Sequence, residues 1–137
     1  MLEGGCLCGD VRYRIASPLR WITHCHCSMC RKQHGAAFAT YATVGLKHFE
    51  LLDPSARLVR YPSSEQVVRS FCGRCGSSLF WERMDGPKII DVAVGTLDGD
   101  PEHTADAHIF VASKAPWWHI DDSLPQYPAE PPIPPRR

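Results

Sequence analysis

Apolar and polar residues alternate in short runs along most of this chain. Val11-Arg12-Tyr13-Arg14-Ile15 has a period of two, the pattern of a half-buried strand. Arg20 to Cys25, Phe38 to Val44, Phe49 to Leu52, Arg57 to Tyr61 and Gln66 to Phe71 read as further strands. So do Ser78 to Glu82, Ile89 to Val94 and Ala107 to Val111. Turn pairs separate them, among them Asp53-Pro54, Pro62-Ser63, Asp85-Gly86 and Asp98-Gly99. A helical period shows only over Ser28 to His34, where Ser28 is the expected N-cap and Gly35 the stop. The pattern predicts a mainly β domain.

Size and charge narrow this further. At 137 residues the chain is one domain, and 44% hydrophobic residues are enough for a core of its own. Lys plus Arg is 15 and Asp plus Glu is 15, so the net charge is zero. No general attraction to nucleic acid or anionic lipid is expected of such a chain. The start, Met1-Leu2-Glu3-Gly4-Gly5-Cys6, has no apolar leader core, and no apolar run approaches a membrane span. A cytoplasmic protein is the expectation. The domain is expected over residues 1–127. Residues 128–137 form a Pro-rich tail that could dock a polyproline groove; an unpacked terminus is the favoured reading.

Chemistry is concentrated in seven cysteines in three clusters: Cys6 and Cys8, then Cys25, Cys27 and Cys30, then Cys72 and Cys75. Spacings of two and three residues let neighbouring thiolates reach one metal ion. Disulfides fit poorly. A C-x-C pair is too close along one strand for an unstrained bridge, and the count is odd. Reduced, clustered cysteines in a cytoplasmic protein usually bind metal or catalyse. Cys72-Gly73-Arg74-Cys75-Gly76 has the form of a zinc knuckle, with Gly73 and Gly76 expected to supply left-handed turns. Cys6 and Cys8 supply the two further ligands it needs. Cys25, Cys27 and Cys30 then remain as a three-ligand set. This division leaves no cluster split.

A three-thiolate zinc has one open position, which His24, His26 or His34 could instead close into a structural Cys₃His site. The open site is the sharper expectation. Its net charge of −1 makes it a weak generator of hydroxide, but it suits a fourth thiolate held deprotonated and nucleophilic. The matching substrate is a small thiol that adds to an electrophilic carbon. His48-Phe49-Glu50 with Cys72 and Cys75 loosely fits a zinc-deaminase text. That reading requires helices where strands are expected, and it leaves five cysteines unused.

Four stretches carry a resemblance: Gly4-Gly5-Cys6-Leu7-Cys8-Gly9, His24 to Arg31, Phe71 to Gly76 and Gly95-Thr96-Leu97-Asp98. His108 to Val111 and Ser113 to Trp117 extend it. From about Gly4 to Leu124 the chain resembles the glutathione-dependent formaldehyde-activating enzyme (GFA) family, also called the centromere-protein-V domain family. The resemblance implies small packed antiparallel sheets, as in zinc-containing Rab exchange factors and B-type methionine sulfoxide reductases. It also implies a structural zinc on Cys6, Cys8, Cys72 and Cys75 and a second zinc on Cys25, Cys27 and Cys30. The implied activity joins glutathione and formaldehyde into S-(hydroxymethyl)glutathione, a carbon–sulfur lyase reaction in reverse. The partners would be a small thiol and a small aldehyde. A non-catalytic, zinc-stabilised interaction module is the alternative. A sulfoxide reductase would need a redox cysteine outside the metal sets, and all seven are assigned.

Further pocket residues are sought near these clusters. Arg31, with Lys32, could steer glutathione carboxylates. His34 and His108 could face a pocket, and Trp117 with Trp118 could wall it.

Overall fold

A computed structural model of the chain describes residues 1–131. It contains ten strands and one short α-helix, with 3₁₀ turns between some of them. β1 (Leu2–Gly5), β2 (Arg12–Ile15) and β5 (Phe49–Leu52) form a small antiparallel sheet in the order β1-β2-β5. The larger sheet has seven strands, in the order β10-β3-β4-β9-β8-β7-β6. Its members are β3 (Ile22–Cys25), β4 (Ala39–Gly45), β6 (Leu58–Pro62), β7 (Val67–Cys72), β8 (Ser78–Arg83), β9 (Ile89–Ala93) and β10 (Ala107–Ile109).

The antiparallel expectation needs one correction. β10 joins the edge of the larger sheet parallel to β3, with Ile109 opposite Cys25. A parallel pair needs a long return connection, here most of the chain, and local periodicity does not report it. β1 is a strand the apolar pattern does not announce. Its Gly4 and Gly5 are poor strand formers, yet Gly4 is required by close packing. A Cβ there would overlap the Tyr13 hydroxyl and sit 2.6 Å from the Thr96 carbonyl oxygen.

The core lies between the two sheets. Val11, Tyr13 and Ile15 from the β2 region pack on Ala42, Val44, Phe80, Ile90 and Val92 of the larger sheet. Tyr13 meets Phe80 edge-on at 5.3 Å, and Phe49 meets the same ring at 5.1 Å. The strand period then fixes the other face of the large sheet. Ala42 and Val44 of β4 point into this core, so Ala39 and Tyr41 point away. They form a second buried cluster with Ala93, Cys25 and Cys30. On β9, Asp91 falls between the core residues Ile90 and Val92 and therefore faces the same far side.

α1 (Ser28–His34) follows β3 directly. Its N-cap is Cys27 rather than Ser28: the Cys27 sulfur accepts a hydrogen bond from the Cys30 backbone N–H at 3.3 Å. A sulfur does here what a hydroxyl does at most helix starts. Gly35 ends the helix in the left-handed conformation, as expected. The Pro-rich segment departs from the unpacked expectation at its start. The carbonyls of Tyr127, Pro128 and Ala129 accept hydrogen bonds from Val111, Ala112 and Phe110. The rest of that segment, residues 132–137, lies outside the described residues. No helix among the described residues is long and apolar enough to cross a membrane.

Candidate active site

The seven cysteines are all free thiols, and they gather into two groups. Cys6 and Cys8 sit in the β1–β2 turn, Cys72 ends β7 and Cys75 lies in the turn that leads to β8. The four sulfurs lie within 4.8 Å of one another and could hold a metal ion. Cys6 to Cys8 is 3.5 Å and Cys8 to Cys72 is 3.8 Å. Four sulfurs around a tetrahedral zinc at about 2.3 Å would be spaced by about 3.8 Å. Backbone N–H groups already point at these sulfurs, from Val11 to Cys6 and from Arg74 to Cys72. Gly76 supplies the expected left-handed turn, with φ of 81°. Gly73 does not. It is a glycine because β6 passes close by, and a Cβ would meet Val59 at 2.9 Å and the Arg57 carbonyl at 3.1 Å.

Cys25 ends β3, Cys27 caps α1 and Cys30 lies in its first turn. Their sulfurs also lie within 4.8 Å of one another. No histidine joins either group among the described residues. Hydrogen bonds from Cys25 and Cys30 hold the Cys27 thiol far down, to about 2. The same bonding, with burial, pushes Cys25 far up. Within the group, hydrogen bonding thus favours the ionised form at Cys27 and the protonated form at Cys25.

This second group opens onto a cleft of about 330 Å³, and the four-sulfur group does not. The three cysteines form one wall. Tyr41 and Asp91 come from the far face of β4 and β9, Arg69 and Trp81 from β7 and β8, and Ile109 and Phe110 from the end of β10. Glu130 reaches it because residues 125–129 run alongside β10. Arg69 is only 5% exposed, and its placement is specific. It donates to the Cys30 sulfur at 3.5 Å, to Gln33 Oε1 at 3.1 Å and to Ser63 Oγ at 3.3 Å. A buried guanidinium beside thiols favours their anionic form. Burial pushes the Asp91 carboxyl up, from 3.8 to about 6, and a hydrogen bond from Thr43 at 2.7 Å partly opposes this.

The other candidate residues lie away from the cleft. Arg31 is half-buried, and its Nε is buried without a hydrogen-bond partner. His34 lines a separate polar groove with Gln33, Thr40 and Thr96, and its Nε2 meets the Tyr41 hydroxyl at 2.9 Å. Trp117 is 65% exposed, and Trp118 packs edge-on against Phe38. His108 is buried in a relay, with Nδ1 at 2.8 Å from His26 Nε2 and Nε2 at 2.9 Å from Asp122. The Asp122 carboxyl is held below its usual range by that bond, so it stays ionised and accepts a hydrogen bond from His108 Nε2–H. His108 Nδ1 then accepts from His26, which fixes the ring between Cys25 and Cys27. Asp122 and His108 thus orient the cysteine segment from the side away from the cleft.

Arg69, Asp91 and Tyr41 were not singled out from the sequence. A signal for two of them was present: Asp91 is a lone acid in Ile89-Ile90-Asp91-Val92-Ala93, and Arg69 is a lone base between Val68 and Ser70. A charge inside a strand whose other face is core must face something polar.

The profile of the family described as "Glutathione-dependent formaldehyde-activating enzyme" matches residues 1–113. The chain belongs to this family. A Halomonas elongata relative is 29% identical over 132 residues, covering 88% of this chain and 82% of its own; it is described as a "Putative glutathione-dependent formaldehyde-activating enzyme". An uncharacterized lyase of Schizosaccharomyces pombe is 23% identical, covering 82% of this chain and 80% of its own. Among solved structures, a Rhodobacter sphaeroides protein superposes with a TM-score of 0.61 at 27% identity. That match covers 72% of this chain and 89% of the other. The matched residues 1–113 span both cysteine groups, the strand that carries Asp91 and the strand that carries Arg69.

Proposed function

We propose that this GFA-family protein is a zinc-dependent carbon–sulfur lyase acting on the adduct of a small thiol and a small aldehyde, such as S-(hydroxymethyl)glutathione. The observation that carries the reading is the cleft: of two thiol groups, only the incomplete one, with three sulfurs, opens onto it. Soft, closely spaced thiolates are a donor set that suits zinc. Cys6, Cys8, Cys72 and Cys75 would hold a closed structural ion, and Cys25, Cys27 and Cys30 an open one. Zinc held by the three would supply a fourth position at which a substrate thiol loses its proton.

The chain's own residues do the rest. Arg69 offsets one negative charge of the thiolate set from beside Cys30. Trp81, Ile109 and Phe110 give the cleft an apolar wall for the carbon part of the adduct. The Asp122–His108–His26 relay keeps Cys25 and Cys27 in register for binding. The family and relative names support glutathione and formaldehyde as the pair, and a cytoplasmic, reducing setting would keep all seven thiols free.

Cobalt substitution tests this. Cobalt-loaded protein should change its visible spectrum when glutathione is added. The zinc-loaded form should speed adduct formation beyond the uncatalysed rate, and Cys27→Ser should abolish the excess. A spectrum indifferent to glutathione, cysteine and other small thiols would sink the lyase reading and leave an interaction module.

A further inference from the structure

Lyase chemistry at the three-cysteine group needs a place for the hydroxyl proton of the adduct, and none of the sulfurs supplies one. We propose that Asp91 is the catalytic proton acceptor and donor of this site. The inference rests on the lyase reading above.

Geometry carries the assignment. Asp91 lies on the far face of β9, opposite Thr43 of β4 on one side and Trp81 of β8 on the other. Its carboxyl lines the same cleft as Cys25, Cys27 and Cys30. The three thiols and Asp91 thus border one cleft of about 330 Å³. Thr43 donates a hydrogen bond from its hydroxyl to Oδ1 at 2.7 Å, which fixes the carboxyl through that oxygen. The other titratable groups of the cleft are Tyr41 on β4, Arg69 on β7, Glu130 and the three thiols. Arg69 is committed to Cys30, Gln33 and Ser63. Burial pushes the Tyr41 hydroxyl far up, out of reach of neutral proton transfer. Burial places Asp91 near 6, where a carboxyl gives and takes protons readily at neutral pH.

The step balances as follows. In breakdown, the ionised Asp91 carboxylate takes the proton of the adduct's hydroxyl. The oxygen pair forms the carbonyl as the carbon–sulfur bond breaks, and the bond's electrons leave on sulfur. The products are an aldehyde, a thiolate and protonated Asp91, which releases its proton to water. In formation the thiolate attacks the carbonyl carbon, and the carbonyl oxygen takes the proton from Asp91. No oxidant or reductant is needed.

The test uses the full zinc-loaded chain with glutathione and formaldehyde, following exchange between free and bound aldehyde by NMR. Asp91→Asn should lower the excess rate on the order of 100-fold, the usual worth of a general acid–base group. Asn can still accept from Thr43, so zinc content, fold and the thiol-dependent cobalt spectrum should persist. In wild type the breakdown rate should rise with pH through a midpoint near 6. Thr43→Val should move that midpoint upward, because the lost hydrogen bond favours the ionised form. A merely structural Asp91 would leave the profile where it is. As a readout independent of turnover, a carboxyl carbon resonance should titrate near 6 and vanish in Asp91→Asn. A thiol-responsive wild type whose excess rate survives Asp91→Asn within a few-fold overturns the role of Asp91 alone. A wild type with neither thiol response nor excess rate overturns the lyase reading, and this role with it.

Discussion

Replacing Asp91 with asparagine should make the folded protein more stable at pH 7.5, and the gain should shrink as the pH falls. In the folded chain the Asp91 carboxyl is raised by burial from 3.8 to about 6. A raised carboxyl contributes its stability below the unfolded value of 3.8 and loses it as the pH rises through the folded value of about 6. Linkage between these two values costs the folded state about 3 kcal/mol at pH 7.5 and about 1.5 kcal/mol at pH 5. Asparagine has nothing to ionise, and its carbonyl can keep the Thr43 hydrogen bond. Urea unfolding of both proteins at the two pH values isolates the term, since every other titrating group is common to the pair. The difference in stability should grow by about 1–2 kcal/mol from pH 5 to pH 7.5. An equal difference at both pH values, or a variant less stable at pH 7.5, would refute the burial argument. A residue that lowers stability at working pH and is replaced with a gain is the signature of a site kept for function.

Cys72→Ser should cost several kcal/mol or the soluble fold, on the order of a lost structural metal site, read by thermal melting and metal content. Cys27→Ser should instead remain folded with about one metal per chain, because it perturbs the local three-ligand group only; loss of both metals would break the division of ligands. Gly4→Ala should destabilise by about 2–3 kcal/mol, since its Cβ has no space beside Tyr13 and Thr96; an unchanged urea midpoint would contradict that packing. Arg69→Gln keeps much of the side-chain volume but removes the charge beside Cys30, so it should weaken the response of the cobalt form to added thiol; full retention of thiol affinity would show that the charge is idle.

β2, β4 and β9 were legible because each keeps one face in the core, which writes a period of two into the sequence. β1 was not, since its glycines are there for the closeness of Tyr13 and not for strand propensity. The cysteine grouping was legible because the spacing within each cluster is short and the counts complete each other. What was not legible is which distant residues face the cleft. Arg31 and His34 are near the cysteines in sequence, yet α1 turns them away. Arg69 and Asp91 are far in sequence and arrive through strand register. Proximity along the chain misleads wherever a helix intervenes; a lone charge inside a strand is the better guide.

The two thiol groups differ in what they connect, which fits the two purposes proposed for them. A metal held by the four-sulfur group would join the β1–β2 turn of the small sheet to the end of β7 and the turn after it in the large one, closing a loop of about half the chain. A link across so long a loop removes much freedom from the unfolded chain and clamps the two faces of the core together. The three-sulfur group lies within six consecutive residues, between the end of β3 and the first turn of α1. It closes almost no loop, so a metal held there would have little folding role. It also sits on the far face of β4 and β9, where the strand period separates it from the core by one sheet thickness. Under the proposed reading, a fourth ligand would therefore come and go at that face without disturbing the packing that holds the domain together.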